Sequence, residues 1–327
     1  MAYALTPEKN SIHRSEDLRL ILPWVSSLEN SVTRAITGTV FSENIVLGRI
    51  MALVLLIFQT KVFLYGSLGA ILTAFFGRNF TKNKTLQNSG LFPLNGLFIG
   101  LATSTFLSGH LKTVIAVFLM SLVTSLAVLV SHRFLKTWDL PVLVAPYCIS
   151  FWLMQLVSHE SKVFYLTVDP QILNTDRHAV LQVLHGALIS FGQIFFSGNL
   201  ISATIVACII VAFNPKKMLS IACSALLPTV ISYLCIGNHW SINSGLTAFS
   251  GILLFQAFNA GHLAISPKLL WTIIGLSGLV EVAALKIAES QALFALSASY
   301  IAVFWVAKLC EETKQGRTSQ NQAIMTW

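Results

Sequence analysis

The sequence predicts an all-α polytopic membrane protein: two inverted five-helix repeats, each with a partial pore helix, making about ten transmembrane spans. Three observations carry that expectation. Of 327 residues, 55% are hydrophobic and only 10% are charged, and the mean hydropathy is +0.73. That balance does not describe a soluble domain of this length. Apolar runs recur along the whole chain. The chain also repeats itself: GLFPLNGLFIGL at 90–101 is answered by GLTAFSGILLFQ at 245–256, an offset of 155 (245 less 90). The same offset lays ITGTVFSENI (36–45) on FGQIFFSGNL (191–200), so Phe41 falls on Phe196, Ser42 on Ser197 and Asn44 on Asn199. Phe58 likewise falls on Phe213. One register shared by separated blocks marks two homologous halves, and in a membrane protein it points to a pathway between them.

Residues 1–30 are polar and mixed in charge. They lack a basic segment followed by an apolar core, so no cleavable signal peptide is expected. The first repeat, 31–157, has apolar runs at 43–60, 62–76, 91–108, 112–131 and 141–157. Residues 158–180, with Asp169-Pro170 and Asp176, form the longest polar connection and are expected as an extracellular or periplasmic linker. The second repeat, 181–309, has runs at 186–213, 218–236, 245–262, 269–288 and 292–309, and 310–327 is a polar tail. The run 62–76 and the glycine-rich stretches fall short of the roughly 20 residues of an upright span, which suits broken or re-entrant helices. Partial pore helices are expected near 86–96 and 241–251, where Gly90, Gly96, Gly245 and Gly251 allow tight turns and close backbone approach. The alternation of a β-barrel is absent. Five spans per half, an odd number, insert the second half upside down relative to the first.

Basic residues then orient the chain. With the N-terminus inside, Arg78, Lys82, Lys84, Arg133, Lys136, Lys216, Lys217 and Lys268 fall in inner segments, while outer loops keep only Lys61, Lys112, Lys162, Arg177 and Lys286. This bias places both termini in the cytoplasm, in a multi-pass cell-membrane protein, at the inner membrane if the source is bacterial. It also accounts for the net charge of +8. The basic clusters carry almost no aromatics, so no nucleic-acid site is expected.

Several chemistries lack their parts. Cys148, Cys208, Cys223, Cys235 and Cys310 stand singly in apolar runs with no CxxC, and the histidines show no metal-ligand spacing. No Walker loop, GxGxxG or GxSxG is present, so ATP-driven transport and hydrolase activity are not expected. Neither a metal nor a cofactor is expected, and the chain reads as a passive or ion-coupled conduit rather than an enzyme. Two charges lie inside apolar runs, Arg49 in the first and Glu281 in the ninth. Charges at such depth are costly. Glu281 suits either a structural or inter-subunit contact or proton coupling.

The motifs resemble the urea transporter family. Its segment of the form RGIxQVxFxxN is matched by RAITGTVFSEN (34–44) and ISFGQIFFSGN (189–199). A GLxGFNGxLxGL-like segment is matched at 90–101 and 245–256. An LPVxTxPFxxxxW-like segment is matched by LPVLVAPYCISFW (140–152) and LFALSASYIAVFW (293–305). The resemblance implies a homotrimer with one pore per protomer, running between its halves, and passive conduction of urea through a flat slot. There, aromatic faces sandwich the solute and oxygens accept its N–H hydrogens. A planar neutral molecule with four donor hydrogens can exchange its hydration shell for such groups, whereas an ion cannot.

The resemblance further implies that Gln193 is the filter amide of the second half, with Ile194 and Phe196 beside it. Phe249 is then its slot aromatic, Leu253 a flanking wall, and Ser297 stands at a central threonine. The first half departs from the pattern: Gly38 replaces the glutamine, although Phe41 remains. Leu94 replaces the slot aromatic, Phe98 takes the later wall position, and Val144 replaces the other central threonine. The filter is therefore expected to be polar and aromatic on the second-half side and more apolar on the first. Three readings follow: a urea channel, a relative conducting another small neutral amide or an ammonia-like solute, and a proton- or sodium-coupled transporter using Glu281.

Overall fold

The computed structural model describes residues 29–107, 109–161, 179–236, 242–290 and 296–325. Helices dominate them. The first half holds α1 (29–39), α2 (Ile45–Phe58), α3 (Thr60–Phe80), α4 (Lys84–Asn88), α5 (Leu91–Phe106), α6 (His110–Lys136) and α7 (Ala145–Ser161). The second holds α8 (Ala179–Gln193), α9 (Leu200–Phe213), α10 (Met218–Ile236), α11 (Phe249–Asn259), α12 (Pro267–Ser290) and α13 (Ala298–Met325). Four stretches among the described residues are long and apolar enough to cross a membrane: Thr60–Phe80, His110–Lys136, Pro215–Cys235 and Pro267–Ile287. Shorter apolar helices accompany them. Most of the connection expected at 158–180 lies outside the described residues.

Local chemistry recurs between the halves. Helices α2 and α9 are each 14 residues long, and both ends lie 155 residues apart (200 less 45 and 213 less 58). Each begins at an asparagine. Asn44 Oδ1 accepts from the amides of Val46 and Leu47 at 2.9 and 3.3 Å, and Asn199 Oδ1 from those of Ile201 and Ser202 at 2.9 and 3.1 Å. These bonds satisfy amides that the first turn leaves without helical partners.

The preceding helices also end alike. Ser42 N–H donates to Thr37 O and Phe41 N–H to Gly38 O; Ser197 N–H donates to Gly192 O and Phe196 N–H to Gln193 O. This is the bond pattern of a Schellman motif, whose left-handed residue is usually glycine. Here the residue is phenylalanine both times, with φ of 53° at Phe41 and 58° at Phe196. The apolar run expected at 186–213 is therefore two helices, reversed at Phe196 and restarted by the Asn199 cap.

The expected partial helices also differ in extent. Gly90, at φ 78°, separates α4 from α5, and Gly245, at φ 74°, lies in the turns that lead to α11. Each main helix thus starts near the glycine and runs beyond the expected segment. The 16 residues of α5 span about 24 Å at 1.5 Å each, short of the roughly 30 Å hydrocarbon layer. Both short helices are encased: twelve residues of α5 and nine of the eleven in α11 are buried. Close backbone approach explains how α5 beds onto α3. A methyl on Gly96 would collide with the Gly69 carbonyl and Thr73, and one on Gly69 with the Gly96 carbonyl.

Helices pack chiefly within their own half, as α3 does on α5 and α6, and α10 on α12. The halves meet where α2 touches α9 and α7 touches α13. Outward faces stay apolar, as at Leu53 and Ile57 on α2, Val130 and Phe134 on α6, and Leu219 and Leu234 on α10. Such faces suit lipid or another apolar partner. Arg49 does not lie buried in this surface: its Nε contacts Glu29 Oε1 at 2.7 Å, with both side chains about half exposed (58% and 48%).

Candidate functional site

Five described non-glycine residues hold left-handed backbone, Asp139 on the cavity rim and four in the two halves' matching segments. Besides Phe41 and Phe196, Leu143 (φ 50°) and Leu296 (φ 52°) adopt the left-handed conformation, each just before a predicted site residue, Val144 and Ser297. A non-glycine residue there costs of order 1–3 kcal/mol and persists only where its surroundings enforce it. In the first half the enforcement is visible. Asn95, fully buried on α5, donates from Nδ2 to Leu91 O at 2.9 Å and Leu143 O at 3.0 Å, while its Oδ1 accepts from Tyr147 N at 3.1 Å. One amide therefore fixes the turn that presents Val144.

The matching residue in the second half is Ser250, too short for the same span. It donates to Glu281 Oε2 at 2.9 Å, and the Ser299 hydroxyl donates to the same oxygen. Glu281 is fully buried and ties α11, α12 and the start of α13 together. The carboxyl thus does on its side, through two serines, the joining that Asn95 does alone.

A cavity of about 970 Å³ opens between the halves. Its wall includes Gly38, Phe41, Leu94, Phe98 and Val144 from the first half, with Leu253 and Ser297 from the second. Charge is confined to its outer part: Arg34, Glu43, Lys136 and Asp139 on this wall are exposed. Lys308 is half-buried and paired with Glu311 at 3.1 Å. The buried part of the wall is uncharged. Phe98 is 4% exposed, Val144 6%, Leu253 5% and Ser297 6%.

Gly38 faces Leu94, since a methyl on it would rest 3.7 Å from a leucine Cδ. The ring absent at Leu94 reappears one turn later as Phe98, stacked on Tyr147 with centroids 5.0 Å apart and planes at 19°.

Gln193, Ile194, Phe196 and Phe249 are not on this wall. Phe196 meets it edge-on at 6.4 Å and also meets Phe106 at 6.3 Å. Gln193 closes α8, half-buried, and its Nε2 donates to Ser244 O at 2.7 Å. Ile194, just after α8, and Phe249, which opens α11, are both buried. Seven of the predicted residues thus line the cavity, and Phe196 is linked to them through Phe98.

Sequence reasoning missed four residues, Tyr300 on the cavity wall among them. Phe304 runs parallel to Phe41 at 6.4 Å, His262 tilts against Phe41 at 5.3 Å, and Tyr147 reaches across the halves to Ser297. Tyrosine at the same step of both closing segments was the available signal.

The described residues build a helical membrane protein around a cavity charged at its rim and uncharged at its base. The chain belongs to the urea transporter family, whose model matches residues 30–312.

Proposed function

We propose that the protein conducts urea passively through a path between the halves of each protomer. The observation that supports this most is the cavity wall: both halves contribute to it, exposed charges stand at its rim, and aromatic, aliphatic and hydroxyl groups form its buried part. A neutral solute can shed water against such groups at little cost, while an ion meets no charge to replace its hydration. In this reading the two repeats are related by a pseudo-two-fold axis in the membrane plane, with 31–157 and 181–309 as the repeats. The cavity mouth at Lys136 and Lys308 then faces the cytoplasm, as do both termini, with 158–180 outside. The protein is a homotrimer with a pore in each protomer. Gln193, Ile194, Phe196 and Phe249 line the outer part of the path, and the cavity residues the inner part.

Stopped-flow shrinkage and reswelling of proteoliposomes tests this. Urea permeability should exceed that of empty vesicles and be indifferent to membrane potential and uncouplers. Uptake that collapses with the ion gradient would overturn it in favour of coupled transport through Glu281. The engagement of Glu281 by Ser250 and Ser299, away from the cavity wall, supports the structural role instead. A second reading, conduction of another small neutral amide or an ammonia-like solute, rests on Val144 and Leu94. Formamide or acetamide passing much faster than urea would favour it.

A further inference from the structure

Tyr147 and Tyr300 hold matching places in the two closing segments, 153 residues apart (300 less 147). Each sits in the first turn of its helix, α7 from Ala145 and α13 from Ala298. Val144 and Ser297 immediately precede those helices at the same spacing. Tyr147 reaches over the junction, and its hydroxyl lies 2.7 Å from Ser297 Oγ, both groups being buried. The image of this pair in the other direction is Tyr300 with Val144, and there the pair is broken. Val144 carries no hydroxyl, and the Tyr300 hydroxyl, on a residue only 2% exposed, has no hydrogen-bond partner.

A buried hydroxyl without a partner is a net cost, and phenylalanine would avoid it at the same volume. Packing does not call for the oxygen, because the Tyr300 ring is held edge-on by Phe304 at 5.9 Å. Yet Tyr300, Val144 and Ser297 line the same cavity. We propose that Tyr300 is a specificity-determining residue: its hydroxyl, left unpaired by Val144, makes a hydrogen bond to a small neutral amide passing the buried end of the cavity. This rests on the channel reading above. A phenol donates to a carbonyl oxygen and accepts from an N–H, so either edge of an amide satisfies it. Ser297 already shares its hydroxyl with Tyr147, so the wall offers one engaged hydroxyl pair and one open hydroxyl.

Two measurements on the full-length protein test the proposal: thermal unfolding in detergent, and urea permeability in proteoliposomes, for Tyr300→Phe, Tyr147→Phe, Val144→Thr and Val144→Thr/Tyr300→Phe. Tyr147→Phe should lower the melting temperature by stripping Ser297 of its partner, whereas Tyr300→Phe should leave it unchanged or raise it. Tyr300→Phe should nonetheless cut urea permeability about fivefold or more. On the Val144→Thr background its effect should shrink to less than about twofold, because the threonine hydroxyl then takes the Tyr300 hydroxyl as its partner, as Ser297 takes that of Tyr147, and still offers the solute an oxygen. A melting temperature that falls as far in Tyr300→Phe as in Tyr147→Phe would overturn the proposal, since the hydroxyl would then already have a partner. Unchanged urea permeability in Tyr300→Phe would make it a packing residue and overturn it as well. Wild-type vesicles closed to urea, formamide and acetamide alike would instead defeat the underlying channel reading. That failure appears before any variant is made.

Discussion

Val144 and Ser297 occupy the same step of their segments but offer a solute different surfaces, one aliphatic and one hydroxylic. Val144 sits 6% exposed on a turn fixed by Asn95, so threonine fits there without moving the backbone. Val144→Thr should therefore leave urea flux equal or higher in the vesicle assay, because it returns a hydrogen-bonding group where dehydration is most complete. A marked fall would mean that the site suits a less polar solute. Gln193 makes the converse case. Its amide nitrogen is held by the Ser244 carbonyl at 2.7 Å, which leaves the amide oxygen as the group to accept a solute N–H. Gln193→Ala should lower urea flux roughly tenfold, with little change in thermal stability, as expected for losing one hydrogen bond in a desolvated path. Flux at the wild-type level would remove Gln193 from the path. Motif register put all three positions forward in the sequence; Val144 and Ser297 line the cavity, and Gln193 does not. For Tyr300 the repeated tyrosine was the sequence signal, but only the pairing of Tyr147 with Ser297 reveals what Tyr300 lacks.

At the scale of elements, polar side chains buried in apolar helices act as joints. Asn95 makes one hydrogen bond within α5, to Leu91, and two that tie α5 to Leu143 before α7 and to Tyr147 in its first turn. Asn95→Ala would strand the Leu143 carbonyl and the Tyr147 amide, at a cost on the order of 3 kcal/mol. A melting curve in detergent should show that loss directly, and an unchanged midpoint would refute the joint. The recurrence of helices was legible from the offset of 155, and the caps at Asn44 and Asn199 follow from ordinary N-cap chemistry. The helix ends at Phe41 and Phe196 were not legible, because the sequence signal for a left-handed stop is glycine and here the residue is aromatic. The single run read at 186–213 failed for that reason. Arg49 looked like a charge at depth because hydropathy cannot register Glu29, which lies twenty residues earlier and reaches it.

For the whole molecule, the apolar outer faces suit lipid or another apolar partner, and the proposed trimer would cover part of them. Light scattering in mild detergent should give the mass of three chains. A monomer, or urea passage along a central axis between chains, would contradict the proposed assembly. The distribution of packing inside one chain has a consequence for how it is made. Since α3, α5, α6 and α7 contact one another far more than anything downstream, the first half can reach its arrangement while the second is still leaving the ribosome, and the α2–α9 and α7–α13 surfaces need to mate only afterwards. Two separately translated pieces, one ending after Ser161 and one starting before Ala179, should find each other in the bilayer and restore urea flux. Pieces that insert but never associate would show instead that the halves mature together.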